Sequence, residues 1–187
     1  MTDGLETRRL LLQPLQLEDS RQVQPLFAQW EVVEFLNARV PWPYPDDGVF
    51  TYYRDDALPA IERGDEWHWT LRLRELPEQI IGAIGLMRSR HDRTEQTNRG
   101  FWLAPPWQGK GLMSEAVIAA NDYWFDVLGF AVLRTSKAIA NRGSRRISEK
   151  TGMRAVATYE SEYVAGRLPT EMWEITAEEW RAARANL

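Results

Sequence analysis

Residues 100–116 read Gly100-Phe101-Trp102-Leu103-Ala104-Pro105-Pro106-Trp107-Gln108-Gly109-Lys110-Gly111-Leu112-Met113-Ser114-Glu115-Ala116. An apolar strand runs into two prolines, which stop it. A loop follows in which Gly109 and Gly111 flank Lys110. From Leu112 the apolar residues Met113, Ala116, Val117, Ala120, Trp124 and Val127 recur at steps of three and four, the period of a helix. Glycines let successive main-chain N–H groups turn toward one point. A helix start adds unpaired N–H groups and a positive dipole end, and Lys110 adds a full charge. Together these suit a phosphate or pyrophosphate. Glycine spacing alone fits a plain tight turn equally well. The loop is neither GxxxxGK[ST] nor GxGxxG, so the nucleoside-triphosphate and dinucleotide signatures do not match. No Ser or Thr follows Lys110 directly to hold Mg²⁺.

Upstream, Arg9 to Pro14 reads as a first strand, and Val23, Leu26, Phe27 and Trp30 as one face of a helix that starts near Glu18 and Asp19. Pro41, Pro43 and Pro45 make a stiff aromatic loop. A second helix is expected from Asp46 or Asp47 to Arg63, ended by Gly64. A strand from Trp67 through the alternating stretch Thr70 to Leu76, a turn at Pro77–Glu78, a central strand from Gln79 to Arg88, a polar loop to Thr97 and a strand from Arg99 to Ala104 follow. Downstream of the long helix, which ends at Gly129, Phe130 to Ala138 reads as a strand and Asn141 to Thr151 as a short helix. Met153 to Tyr163 and Leu168 to Ile175 read as two strands about a Gly166 turn, and Ala177 to Ala185 as a closing helix. The order βααβββαβαββ indicates one α/β domain over 1–187 with a mixed sheet.

Composition narrows the chemistry. The chain of 187 residues has no cysteine, which excludes disulfides, thiolate metal sites and a Cys nucleophile. His68 and His91 are the only imidazoles, and both lie outside the motifs as structural or exposed groups, so no metal centre is expected. A net charge of -4 argues against a nucleic-acid footprint. The first residues lack the apolar run of a secretory leader and no stretch of 18 apolar residues occurs, so no membrane partner and a cytoplasmic location are the expectation. Nine tryptophans should be core or groove walls.

Gln108-Gly109-Lys110-Gly111-Leu112-Met113 resembles motif A of the GNAT acetyltransferase superfamily, [QR]xxGx[GA], with Met113 departing at the last position. The wider resemblance is to the RimJ/RimL-like branch. It is carried by Leu5 to Pro14, the Pro41–Pro45 segment, Gly100-Phe101-Trp102-Leu103, Trp107, Glu115-Ala116, and Asn141, Ser144, Glu149, Lys150, Gly152 and Met153. It implies a single-domain GNAT fold, a mixed, mostly antiparallel central sheet flanked by helices. It implies acetyl-coenzyme A as co-substrate and direct acetyl transfer to a primary amine.

Carried over by resemblance, the amides of Gln108, Gly109, Lys110, Gly111 and Met113 would cradle the pyrophosphate, and Trp102, Leu103 and Ala104 would hydrogen-bond the pantetheine arm. Asn141 would contact the pantetheine or the phosphate region, or cap a helix. Arg142, Arg145 and Arg146 would meet the 3′-phosphate or form a solvated helix face. Ser144, beside Asn141, would protonate the departing thiolate or stand as a surface serine. Glu162 would be the general base or a surface strand residue, with Tyr159 and Tyr163 as rival proton donors. Asn98 stands where many relatives carry a glutamate and would orient a water or the acceptor. Trp42 and Tyr44 would wall the acceptor site or pack. The acceptor would be a protein N-terminal amine, as on ribosomal proteins, or a small-molecule amine. A catalytically degenerate acyl-coenzyme A-binding module is the alternative. The assembly would be a monomer or homodimer.

Overall fold

The computed structural model describes residues 2–88 and 97–187. His91 and most of the polar loop expected before Thr97 lie outside the described residues. Strands β1 (Leu5–Glu6), β2 (Leu10–Pro14), β3 (Glu66–Leu73), β4 (Leu76–Met87) and β5 (Arg99–Leu103) form one antiparallel sheet in that spatial order. Strands β6 (Val132–Ala138), β7 (Arg154–Tyr163) and β8 (Gly166–Thr176) form a second antiparallel sheet with β8 in the middle. The helices are α1 (Ser20–Phe27), α2 (Trp30–Val33), α3 (Gly48–Tyr52), α4 (Leu58–Glu62), α5 (Leu112–Asp122), α6 (Arg142–Lys150) and α7 (Ala177–Arg184).

Strand β4 explains its own apolar run. Successive side chains point to opposite faces of a sheet, and a register shift that leaves Ile81 unpaired between Ile80 and Gly82 lets Ile81 share the face of Ile84 and Leu86. Ile81, Ile84 and Leu86 join the main core with Leu10, Leu12, Trp69 and Leu71 and with Ala116, Val117 and Ala120 of α5. Ile80 joins a second core on Leu15, Val23, Val49 and Tyr53. Burying each such aliphatic side chain is worth about 1.5–3 kcal/mol, so β4 is held from both sides and forms a stiff base for the β5 edge.

Several boundaries differ from the expectation. The first helix stops at Phe27, because the Gln29 side chain folds back and donates to the Pro25 and Leu26 carbonyls at 3.1 and 3.2 Å. Trp30 then opens α2 rather than extending α1. The β3–β4 turn is Arg74–Glu75, not Pro77–Glu78. Pro77 lies within β4 where the ladder is bulged: Leu73 opposes Leu76, but Arg72 already opposes Ile80. The last turn is Val164–Ala165, and Gly166 opens β8.

The two sheets meet at one seam. The Asn98 N–H donates to the Arg134 carbonyl at 2.7 Å, and the Thr135 hydroxyl to the Arg99 carbonyl at 3.2 Å. No such bond is present farther along β5 among the described residues, so β5 and β6 touch at the start of β5 and part toward its end.

Candidate active site

The far end of β5 runs through Pro105–Trp107 into the glycine loop. Gly109 and Gly111 have φ of +72° and +76°, the left-handed region that costs other residues a steric penalty. Gly111 is the N-cap of α5 and carries no side-chain cap. Among the described residues nothing accepts from the Gly109, Lys110 or Gly111 amides. The first helical amides, from Leu112 on, have no intrahelical partner either. A Cβ built on Gly109 would meet nothing within 4 Å. The loop thus carries a run of unpartnered donors beside open space at Gly109, and leads into the positive dipole end of α5.

The supports of this loop come from far away in the chain. The Glu115 carboxylate accepts from the Thr7 hydroxyl at 2.6 Å, the Arg9 amide at 2.7 Å and the Arg9 Nε at 2.7 Å. Arg9 also donates to the Lys110 carbonyl at 3.1 Å. Burial alone would raise the Glu115 carboxyl, but the Thr7 hydroxyl and the Arg9 amide and guanidinium together hold it below the usual carboxylate range. Gln108 folds inward, its amide on the Leu103 carbonyl at 2.7 Å. The Lys110 ammonium sits 5.0 Å over the Trp107 ring, a cation–π contact. The Met113 side chain is buried in the core, so its departure from the motif leaves the loop surface clear.

Strand parity corrects the expected pantetheine contacts. The Met87 N–H donates to the Asn98 carbonyl and the Ala104 N–H to the Ile81 carbonyl. With an unbroken register between these points, Gly100, Trp102 and Ala104 turn their main chain toward β4. The outward-facing groups are those of Phe101 and Leu103, and the Leu103 carbonyl is already taken by Gln108. Trp102 and Ala104 therefore have no main-chain donor to offer at the gap, and Phe101, absent from the expected set, does. Alternation along β5 was the signal that marks it.

Asn98 is a clamp between strands. It is 5% exposed; its amide donates to the Met87 carbonyl at 3.0 Å and its side-chain oxygen accepts from the Arg134 amide at 2.8 Å. That commitment removes it from the expected role of orienting a water or the acceptor. Asn141 caps α6, accepting from the Ser144 amide at 3.1 Å, which places the half-buried Ser144 beside it. Arg145 leaves the expected basic cluster, because it forks onto Glu171 at 2.9 and 3.2 Å; Arg142 and Arg146 are exposed.

The proline loop divides. Trp42 is 44% exposed and meets Trp30 edge-on at 5.4 Å. Tyr44 packs edge-on against Phe27 at 5.0 Å in the second core, and burial raises its phenol to about 12. Tyr44 is thus packing rather than an open wall. Trp102 contacts the same Phe27 ring at 5.5 Å.

Glu162 lies on a cleft of 340 Å³ lined by Asn37, Ala38, Arg39, Ser161 and Glu162. The Ala38 amide donates to the Glu162 carbonyl at 3.2 Å, and Val164 and Ala165 donate to Leu36 and Glu34 at 3.0 Å each. The segment after α2 is therefore laced onto the end of β7. Tyr163 is buried with its hydroxyl on Thr170 at 3.0 Å, which takes it out of contention as a proton donor. His68 is a structural group, 2.7 Å from Glu66. No metal-ligand cluster is present among the described residues.

Known proteins share this architecture. The chain matches the family described as an acetyltransferase (GNAT) domain over residues 9–154. A stretch of 92 residues is 28% identical to the probable N-acetyltransferase YjcK of Bacillus subtilis (strain 168); it covers 49% of this chain and 50% of that protein, so the match spans about half the length of the curated relative. Among solved structures, the ribosomal-protein-S5-alanine acetyltransferase of Vibrio fischeri superposes with a TM-score of 0.78 at 13% identity over 95% of this chain and 98% of that one. Mycobacterium smegmatis RimJ, in complex with CoA-disulfide, gives 0.78 at 17% identity over 97% and 91%. RimL, a ribosomal L7/L12 α-N-protein acetyltransferase in complex with coenzyme A, gives 0.77 at 12% identity over 93% and 98%.

Proposed function

This chain belongs to the GNAT acetyltransferase family, and we propose that it moves an acetyl group from acetyl-coenzyme A directly onto a primary amine, the amino terminus of a protein being the favoured acceptor. The observation that carries the reading is the run of unpartnered amides from Gly109 to the start of α5, open at Gly109 and braced by Arg9 and Glu115. Its donors and dipole suit a diphosphate. The outward main chain of Phe101 and Leu103 continues the path into the gap between β5 and β6. The neighbours described as a ribosomal-protein-S5-alanine acetyltransferase and a ribosomal L7/L12 α-N-protein acetyltransferase favour a protein acceptor.

Acetyl-coenzyme A supplies the activated thioester. The residues of this chain hold and orient it and manage protons. Glu162, on the acceptor cleft, takes the proton that an alkylammonium must lose before its nitrogen can attack. The C–N bond forms as the C–S bond breaks; the nitrogen releases its second proton to solvent, and the leaving sulfur takes one from solvent, directly or through Ser144, which solvent then reprotonates. The absence of cysteine fits a route without an acetylated thiol.

Isothermal calorimetry with coenzyme A tests the carrying observation. Gly111→Asp puts a carboxylate among the donors and a Cβ at φ +76°. Coenzyme A binding is expected to vanish while the circular dichroism spectrum is retained. Wild-type affinity in this variant refutes the reading.

A further inference from the structure

The acceptor cleft holds two charges of opposite sign that do not pair. Arg39 and Glu162 both line it, both are exposed, and neither lies within 4.0 Å of an opposite charge among the described residues, whereas the neighbouring Glu160 and Arg167 approach to 3.9 Å. The two do not reach their positions by chance of side-chain flexibility alone. The Asn37 side chain accepts from the Arg39 amide at 3.0 Å, the Val40 amide closes a turn on the Asn37 carbonyl at 2.9 Å, and Asn37 bridges to Tyr163. Arg39 thus stands on a turn stapled to the strand that carries Glu162.

From this we infer that Arg39 is a specificity residue for acceptors that carry a carboxylate close to the reacting amine. The inference rests on the acetyl-transfer reading above and names the acceptor class of that site. Glu162 meets the ammonium; Arg39, a planar fork of donors, meets the carboxylate. An acceptor with an amine alone would bring its positive charge to a cleft whose cation stays uncompensated, whereas a zwitterionic one neutralises both walls at once. The same chemistry is offered by a free amino acid, through its α-carboxylate, and by a peptide whose second residue is Asp or Glu.

The test is acceptor binding to the coenzyme A-saturated protein, followed by calorimetry, with two matched pairs of probes. One pair is serine and serinamide. The other is the Ser-Asp and Ser-Asn dipeptides with amidated C-termini. The wild-type protein is expected to bind the carboxylate member of at least one pair about tenfold more tightly, the worth of one charge-assisted contact, and the pair that discriminates identifies the source. Arg39→Met is expected to abolish the preference and Arg39→Lys to restore part of it. In turnover with acetyl-coenzyme A the Arg39→Met defect is expected in KM for the carboxylate acceptor, with kcat retained. Equal binding of both members in both pairs, no binding of any probe, or a preference that survives Arg39→Met overturns the inference and leaves the acetyl-transfer reading intact. Failure of the wild-type protein to bind coenzyme A at all overturns that reading instead.

Discussion

Glu115 joins pieces of chain that are 108 residues apart, Thr7 and Glu115 being the extremes. Its carboxylate, with Arg9, ties β2's entrance to the glycine loop in one arrangement. Glu115→Gln is expected to weaken coenzyme A binding severalfold and to cost about 2 kcal/mol of stability, the scale of hydrogen bonds to a charged group; calorimetry and urea denaturation read the two effects. The sign with pH follows from the depressed folded carboxyl. Its contribution is fully present above the ordinary carboxylate range and is lost as pH falls through the lower, folded value, so the variant should lose that acid-dependent part of its stability curve. At this scale the sequence was partly readable. Gly109, Gly111 and Asn141 have roles that follow from local backbone demands. The bracing by Arg9 and the clamp by Asn98 depend on partners brought close only by folding, and no local pattern marks them.

Among the elements, α5 was visible because its apolar period is long and its glycine start is sharp. The wide turns were not. Tyr53–Ala57 and Tyr123–Val127 are π-helical. The first precedes Pro59, which has no N–H to give to the Asp55 carbonyl and crowds it, so the helix widens there; the 3.6-residue pattern merely blurs. Helix α7 is legible from its ends. Thr176 and Glu179 form a reciprocal capping box, with bonds of 3.2 and 2.8 Å. Its Trp180 is buried and donates to Asp122 at 3.1 Å. Thr176→Ala is expected to cost about 1 kcal/mol and to lower Tm by roughly 2–4 °C, read by differential scanning calorimetry. Because α7 packs on α5 and on the ends of β7 and β8 away from Glu162, turnover at 25 °C should be unchanged.

Taken whole, the molecule is two antiparallel sheets joined at one seam, and two basic side chains are buried at that seam. Arg99 is 2% exposed and Lys137 4%. Arg99 donates to Asn121 and to the Met153 sulfur, and Lys137 to the Ser148 hydroxyl at 2.6 Å; neither has a carboxylate in salt-bridge range among the described residues. Burial, and then the nearby Arg99 charge, hold the Lys137 amine well below its ordinary value, with Glu171 opposing. Between that lowered folded value and the ordinary one, the unfolded chain binds a proton that the folded chain does not. Stability therefore rises with pH across that window. Lys137→Met is expected to flatten this rise and to add about 1 kcal/mol near pH 7, as read from urea midpoints at pH 7, 8, 9 and 10. The antiparallel meander and the helix that follows it were foreseeable from alternation and period. That the sheets would part at β5 was not, because a strand's neighbours are decided by distant residues.

The alternation along β5 has a consequence for how this domain can vary. A substitution at Phe101 or Leu103 changes a side chain but keeps the same main-chain groups at the gap. Loss or gain of one residue between Arg99 and Leu103 would do the reverse: it would exchange the two edges, turn the Trp102 ring away from Phe27 into the opposite core, and hide from the gap the N–H groups now open to it. The count of residues in this short strand is thus under tighter constraint than their identities.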